Sequence, residues 1–124
     1  MEHDPVNPEI EYETFLEPSP SEAYGQYRGK KFYLRARWDR WDFLLSEDRN
    51  VEPDCLYMIL DCDLEVVQKS EHPFPAHWVE AFNQAAFIRW GTYGKPNSWA
   101  ASYMPKEEKM KAIRGCIDEY HGAA

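Results

Sequence analysis

The most constraining feature of the sequence is a change of phase within residues 29–45, GKKFYLRARWDRWDFLL. Apolar and polar residues first alternate, with apolar side chains at Phe32, Leu34, Ala36 and Trp38. A period of two is typical of a half-buried strand. The apolar positions then shift to Trp41, Phe43 and Leu45. Because a strand cannot change faces without a turn or a bulge, the pattern predicts a hairpin turning near residues 39–40, with a bulged strand as the alternative.

Composition places the chain among folded, acidic proteins. Its 124 residues, 15% of them aromatic, are enough for a single domain spanning residues 1–124 with its own core. The net charge of −8 disfavours direct binding to nucleic acid and favours association with a basic partner. No apolar run is long enough to span a membrane, and the acidic N-terminus lacks signal-peptide features, so we expect a cytoplasmic protein. Residues 1–8 are predicted to be disordered.

Charge is unevenly distributed along the chain. Residues 1–27 contain seven acidic residues and no Lys or Arg, whereas residues 28–40 contain six Lys or Arg. Residues 9–16 alternate and predict a strand, which could lie antiparallel to residues 31–37 and pair its Glu row with their basic row. The alternative is an acidic arm that waits for a partner. Residues 19–22, Ser-Pro-Ser-Glu, predict the start of a short helix.

The rest of the chain predicts further strands followed by helices. Residues 56–68 predict a hairpin or, alternatively, one long strand. Residues 75–90 and 105–121 predict two helices, with a loop at residues 91–104 between them. This order indicates an α+β fold: an antiparallel sheet of about four to five strands (an N-terminal strand plus two hairpins), with two C-terminal helices packed on one face.

Residue types that could carry chemistry do not fall at diagnostic spacings. Cys55 and Cys62 are too far apart for the tight pairs of a zinc site, and Cys116 lies beside the apolar stripe of the last helix. His77, at a predicted helix start, is the strongest candidate for a general base. No phosphate-binding loop, nucleophile elbow or zinc-protease motif is present. We therefore expect no metal and no cofactor, and the sequence favours a non-enzymatic protein over an enzyme.

A protein-binding function has the most support. Residues 41–71 hold nine acidic and two basic residues, so this region is not neutralised locally. Loop aromatics are the residue types that dominate interface energies. The predicted partner-binding residues combine acids with two such aromatics: Glu47, Asp48, Glu52, Asp54, Asp61, Asp63, Glu65, Trp99 and Tyr103.

In size, charge and lack of catalytic motifs, the chain is similar to small acidic inhibitors such as immunity proteins, antitoxins and phage anti-CRISPR proteins. The similarity implies a protein that binds and blocks a basic partner that handles nucleic acid. Two alternatives stay open. One is a small ligand-binding or enzymatic domain whose pocket is lined by Trp38, Trp41, Trp78 and Arg89. The other is a homo-oligomer, such as a homodimer, closed through a sheet edge or the last helix.

Overall fold

The structure is a computed structural model that describes residues 2–16, 21–47 and 86–122. Within them, six strands form one antiparallel sheet in which each strand pairs with its neighbours in sequence. The strands are β1 (Glu2–His3), β2 (Ile10–Leu16), β3 (Ser21–Tyr27), β4 (Lys30–Arg37), β5 (Arg40–Ser46) and β6 (Ala86–Thr92). A short 3-10 helix (Ala100–Tyr103) and the helix α1 (Lys106–Gly122) follow. The described residues thus combine an antiparallel sheet with a C-terminal helix, but with six strands and one α-helix instead of four to five strands and two.

The hairpin predicted from the phase change is confirmed. β4 and β5 pair antiparallel, with Leu34 opposite Phe43 on the face that carries the core. Trp38 and Asp39 form a two-residue turn, one residue earlier than the sequence pattern places it. The change of phase therefore marks the point where the chain reverses, so that both apolar sets lie on the same face of the sheet.

The core lies between that face of the sheet and the two helices. Strands β2 to β5 contribute large buried side chains, among them Tyr12, Phe32 and Phe43. The apolar stripe predicted for the last helix is confirmed, because α1 buries Met110, Ile113 and Ile117 against the sheet. Fully burying an aliphatic or aromatic side chain of this size contributes about 1.5–3 kcal/mol, so this contact fixes where α1 lies. No helix in the described residues is long and apolar enough to cross a membrane.

The predicted charge ladder between residues 9–16 and 31–37 is wrong in its pairing. β3 lies between β2 and β4, so the acidic and basic rows are not neighbours. Instead Glu11 lies opposite Gln26. The side-chain amide of Gln26 donates a hydrogen bond of 3.0 Å to the Glu11 carboxylate. Gln26 in turn lies opposite Lys31 on β4. A strand of mixed polarity therefore separates the two charged strands.

Two segments predicted to be helical are strands. Residues 19–22 predict a helix start, but β3 begins at Ser21 and runs through Gly25. A Cβ at Gly25 would lie 2.5 Å from the ring of Phe32, so glycine here makes room for a core aromatic. Residues 86–90, the expected end of a helix, belong to β6 and pair with β5. Short apolar runs fit either period, which explains the error at residues 86–90.

Other predicted elements cannot be compared with the structure. The remainder of the helix predicted at residues 75–90, and the hairpin or long strand predicted at residues 56–68, lie outside the described residues. In the loop predicted at residues 91–104, the structure places the end of β6 and the 3-10 helix.

The N-terminal arm, expected to be disordered over residues 1–8, is tied to the domain by Asp4. Glu2–His3 pairs with β2, and the Asp4 side chain is fully buried. Its carboxylate accepts the Tyr12 hydroxyl at 2.7 Å and two N–H groups of Arg114 at 2.9 Å each, as well as two backbone N–H groups. Burial opposes ionisation, but these hydrogen bonds outweigh it and lower the pKa of Asp4 to about 2.

Candidate functional site

The β4–β5 turn places a tryptophan where hairpin turns favour glycine. Of the two turn residues only Trp38 has a positive φ, 61°. A two-residue hairpin turn with positive φ at its first position alone is of type II′, and glycine normally occupies that position. A bulky side chain in this left-handed region raises the free energy of the folded state by about 1–2 kcal/mol. Trp38 is therefore a strained residue.

Backbone hydrogen bonds on both sides hold this strained turn. The Trp38 carbonyl accepts N–H groups of Ala101 at 2.6 Å and Ser102 at 3.3 Å, and the Trp38 N–H donates to Ser102 Oγ at 2.8 Å. The Asp39 carbonyl accepts the Tyr93 N–H at 2.9 Å. The 3-10 helix and the loop after β6 thus fix the conformation of the turn, which lets the strained residue persist.

The indole rings of Trp38 and Trp99 stack on the surface, with centroids 3.9 Å apart and planes inclined by 24°. They are 49% and 52% exposed, and Tyr103, on the 3-10 helix that binds the Trp38 carbonyl, is 63% exposed. The Arg37 guanidinium lies 5.9 Å from the Trp38 ring centroid. We name Arg37, Trp38, Trp99 and Tyr103 the aromatic platform. It joins one residue predicted to line a pocket, Trp38, to two predicted to bind a partner.

A further exposed indole lies on the other face of the sheet. Trp90 on β6 is 61% exposed, and the Arg40 guanidinium lies 4.8 Å from its ring centroid. Arg40 also pairs with Asp42 at 2.8 Å. The sequence pattern missed this position because it predicts a helix, not a strand, over residues 75–90. Only the alternation of β6 against β5 would have assigned it to the outer face.

A pocket of about 280 Å³ opens between β5, the end of β6, α1 and Met104, the residue that follows the 3-10 helix. Trp41, Tyr93 and Met104 line its apolar side, and α1 contributes Glu108, Lys111 and Glu119. Gly91 lets the Trp41 indole lie against β6, because a Cβ there would be 2.4 Å from the ring. The prediction that Trp41 lines a pocket therefore has a structural counterpart, although Trp38 lies on the platform and Trp78 lies outside the described residues.

Cys116 lies at the pocket but is not a reactive thiol. It is 3% exposed, and burial raises the pKa of its thiol to about 12, so the sulfur is protonated at neutral pH. Cys55, Cys62 and His77 lie outside the described residues. Across residues 2–16, 21–47 and 86–122, no three His, Cys, Asp or Glu side chains are grouped as metal ligands.

Arg89 is on β6 and not, as predicted, near the end of a helix. Its Nε donates to the Glu119 carboxylate of α1 at 2.7 Å, and its guanidinium lies 4.2 Å from the Phe87 ring centroid. Arg89 therefore does not line the pocket. It pairs with Glu119, which does.

Glu47 is the one acidic partner-binding candidate among the described residues, and it is neutralised locally. Lys30 Nζ lies 2.7 Å from its carboxylate, and the Tyr120 hydroxyl also donates to it. Burial raises the pKa of Glu47, but the two hydrogen bonds outweigh burial and leave it below its ordinary value. The other predicted acids lie outside the described residues: Asp48, Glu52, Asp54, Asp61, Asp63 and Glu65.

Glu47 belongs to a group of side chains that we name the closed cluster: Tyr27, Lys30, Glu47, Tyr120 and His121. Lys30 Nζ also donates to the Tyr120 hydroxyl at 2.6 Å, and the Tyr27 hydroxyl is hydrogen-bonded to the His121 ring. The Tyr120 ring packs edge-on against Phe87. These contacts attach the C-terminal end of α1 to the sheet, so the cluster has a structural role.

A serine and a lysine also meet beneath α1, in an arrangement that can support nucleophilic catalysis elsewhere. Lys109 Nζ donates to Ser21 Oγ at 2.8 Å, and Ser21 Oγ donates to the Met104 carbonyl at 3.0 Å. Both residues are 0% exposed. A substrate cannot reach them in this conformation, so we interpret the pair as a polar link between α1 and β3.

The platform and the pocket are therefore the two surfaces that we consider further. Among the surfaces of the described residues, their side chains are the ones least explained by packing in the core. No protein-family model, curated protein or solved structure matches the chain. Both surfaces adjoin the 3-10 helix, since Tyr103 belongs to the platform and Met104 lines the pocket.

Proposed function

We propose that the protein is a non-enzymatic binding protein that attaches to a protein partner through the aromatic platform and blocks it. Trp38 is the observation that carries this proposal. Glycine would occupy its turn position at lower free energy, and half of the Trp38 side chain is exposed instead of buried in the core. Strained residues of this kind concentrate at functional sites, and recognition by an exposed indole explains why one is kept here.

The platform has the composition and rigidity of an interface centre. Trp, Tyr and Arg are the residues that most often contribute more than 2 kcal/mol to a protein interface. The stack of Trp38 on Trp99 and the hydrogen-bonded turn hold the rings before any partner arrives. Little side-chain freedom is then lost on binding, which leaves more of the contact energy as affinity.

The charge of the chain supports a basic partner. A net charge of −8 attracts a positively charged protein at long range and raises the association rate, while contacts at the platform would supply the short-range affinity. A protein with a phosphate-binding surface has the required charge, so we propose a nucleic-acid-handling partner. In this proposal the acids of residues 48–65 occupy a site that otherwise receives phosphates.

Affinity purification with tagged variants tests the proposal. Wild-type protein is incubated with a bacterial lysate at low and at high salt, beside Trp99→Ala and Trp90→Ala, and retained proteins are identified by mass spectrometry. Trp90→Ala is the matched control because it removes another exposed indole, 61% exposed against 52% for Trp99, from the face of the sheet opposite the core. We expect wild type and Trp90→Ala to retain the same basic protein at low salt and to release it at high salt.

Trp99→Ala should weaken that association by about tenfold or more, measured afterwards with the purified partner. Unchanged affinity of Trp99→Ala would exclude the platform as the contact. Retention of a partner with an acidic surface would exclude attraction by the net negative charge of the chain, even if the platform were needed for binding.

A further inference from the structure

We propose that the pocket beside the platform receives the guanidinium group of an arginine side chain from the partner, an inference that rests on the proposed function. The walls of the pocket supply both features that a guanidinium requires. Trp41 and Tyr93 offer aromatic surface, and Glu108 and Glu119 offer carboxylates. A planar guanidinium stacks on aromatic rings and hydrogen-bonds carboxylates in the same plane, whereas an ammonium group does only part of this.

Glu108 is the acceptor that the fold leaves available. Within the described part of the chain it forms no ion pair, although it is only partly exposed. Glu119, by contrast, already pairs with Arg89. Lys111 also lines the pocket but is an exposed side chain on a flexible stem, so its ammonium group can turn towards water. Because Arg89 neutralises Glu119 and Lys111 can turn towards water, Glu108 is the carboxylate at the pocket that remains to pair with a single cation.

Gly115 on α1 leaves one side of the pocket open. It lies inside α1, where glycine is among the least favourable residues for a helix, and a Cβ at this position would meet no atom within 4 Å. Close packing therefore does not explain the glycine. Because Gly115 lines the pocket, a larger side chain would extend into the space that a ligand needs.

The size and position of the pocket favour a side chain of a bound protein over a free metabolite. Its volume of about 280 Å³ is at the lower limit of the range of roughly 300–1,000 Å³ that is usual for small-molecule sites, and is large enough for one side chain. It also adjoins the platform, because Tyr93 is hydrogen-bonded to the Trp38–Asp39 turn and Met104 follows Tyr103. One arginine could enter the pocket while neighbouring residues of the same partner cover the platform.

NMR titration of the ¹⁵N-labelled full chain tests this assignment directly. The probe is N-acetyl-arginine amide, and its matched control is N-acetyl-citrulline amide, which has nearly the same shape but no charge. We expect saturable shifts of the Tyr93, Glu108 and Gly115 amides with a dissociation constant of about millimolar order, as for a single side chain. The citrulline probe should bind at least about threefold more weakly, because it lacks the cation.

Two charge variants locate the acceptor. Glu108→Gln should weaken binding of the arginine probe by about threefold. Glu107→Gln makes the same change in the same helical turn but outside the pocket, and should leave the affinity unchanged. Equal affinity for the two probes, equal effects of the two variants, or shifts confined to other residues would each overturn the inference.

Gly115→Leu distinguishes a filled pocket from a damaged fold. It should abolish binding of the arginine probe without lowering the melting temperature, because leucine favours the helix and meets no neighbouring atom at its Cβ. Probe binding retained by this variant would contradict the pocket assignment. If the arginine probe fails to bind while Trp99→Ala still loses the partner, the arginine inference falls and the proposed function stands. If the probe binds but Trp99→Ala keeps the partner, the platform falls instead.

Discussion

The two turns that flank β4 have the same length and lie in different surroundings. In the β3–β4 turn, Arg28 and Gly29 have φ values of 50° and 80°, the pattern of a type I′ hairpin, with glycine at one of its two positive-φ positions. In the β4–β5 turn, the single positive φ belongs to Trp38, and no glycine is present. The first turn therefore has glycine at one positive-φ position and arginine at the other, whereas the second turn has no glycine at its positive-φ position.

The side chains around the two turns also differ in their contacts and exposure. The closed cluster lies next to the first turn and joins the end of α1 to the sheet, with Lys30 and Glu47 paired to each other, although Arg28 and Gly29 of the turn are exposed. The platform lies at the second turn, where the rings of Trp38 and Trp99 are about half exposed. The comparison shows that side-chain contacts to α1 surround one end of β4 and that exposed aromatic rings surround the other, which is the end that we propose contacts a partner.

The test with the largest expected effect on the free energy of unfolding removes one aromatic side chain from each end of β4. Tyr120→Ala removes a ring that packs on Phe87 and a hydroxyl that links Lys30 to Glu47, so we expect a loss of about 3 kcal/mol in the free energy of unfolding. Trp99→Ala removes an exposed stacking partner and should cost only about 1 kcal/mol. Urea unfolding of both variants measures the difference.

Tyr120→Phe is the matched control, because it keeps the ring and removes only the hydroxyl. It should lie between wild type and Tyr120→Ala. If Trp99→Ala is as destabilising as Tyr120→Ala, the platform is a structural element and the contrast between the two ends is wrong.

A second test asks whether acid sensitivity belongs to the stabilising networks. The pKa of Asp4 is about 2 in the folded protein and 3.8 for the ordinary group. A lowered folded-state pKa contributes stability that is complete above 3.8 and is lost as pH falls towards 2. Asp4→Asn should therefore lower the free energy of unfolding by about 2 kcal/mol at neutral pH.

Unfolding measured across this pH range checks the sign. The gap between wild type and Asp4→Asn should narrow as pH falls from about 4 to 2. Glu9→Gln, which breaks the exposed pair with Arg28, should have a much smaller effect at every pH. If the difference in the free energy of unfolding stays constant with pH, Asp4 stabilises the arm through packing and not through its negative charge.

The smallest effect isolates the strain in the second turn. Trp38→Ala and Trp38→Gly both remove the indole, but only glycine relieves the positive φ. The glycine variant should therefore be more stable than the alanine variant by about 1–2 kcal/mol. Equal stability in urea unfolding would mean that the turn rearranges and that Trp38 is not strained. Both variants should bind the partner as weakly as Trp99→Ala does.

Parts of this fold can be predicted from the sequence because their signals are local. The phase change at Trp38–Trp41 and the stripe of Met110, Ile113 and Ile117 locate the β4–β5 hairpin and α1. The segments that became β3 and β6 were ambiguous, since a proline-flanked Ser-Glu and a short apolar run fit a helix as well as a strand. The sheet pairing that decides between them depends on distant residues.

The candidate site is less predictable than the fold. The exposure of Trp99 and Tyr103 follows from their loop composition, but the stack with Trp38 joins residues 61 positions apart. The positive φ of Trp38 cannot be predicted from the sequence, because the turn lacks the glycine that usually indicates a positive φ. The pocket depends on Trp41 and α1 meeting across the sheet, which only the tertiary structure shows.

Trp38 also affects how fast the sheet can form. β3, β4 and β5 are joined by two-residue turns, so their pairing closes short loops and can precede the docking of β6 and α1, which lie far along the chain. If this hairpin is already formed in the folding transition state, a strained residue in it raises the folding barrier as well as the free energy of the native state. We expect Trp38→Gly to refold faster than Trp38→Ala, so the residue that we propose for recognition would also slow the assembly of the sheet on which it lies.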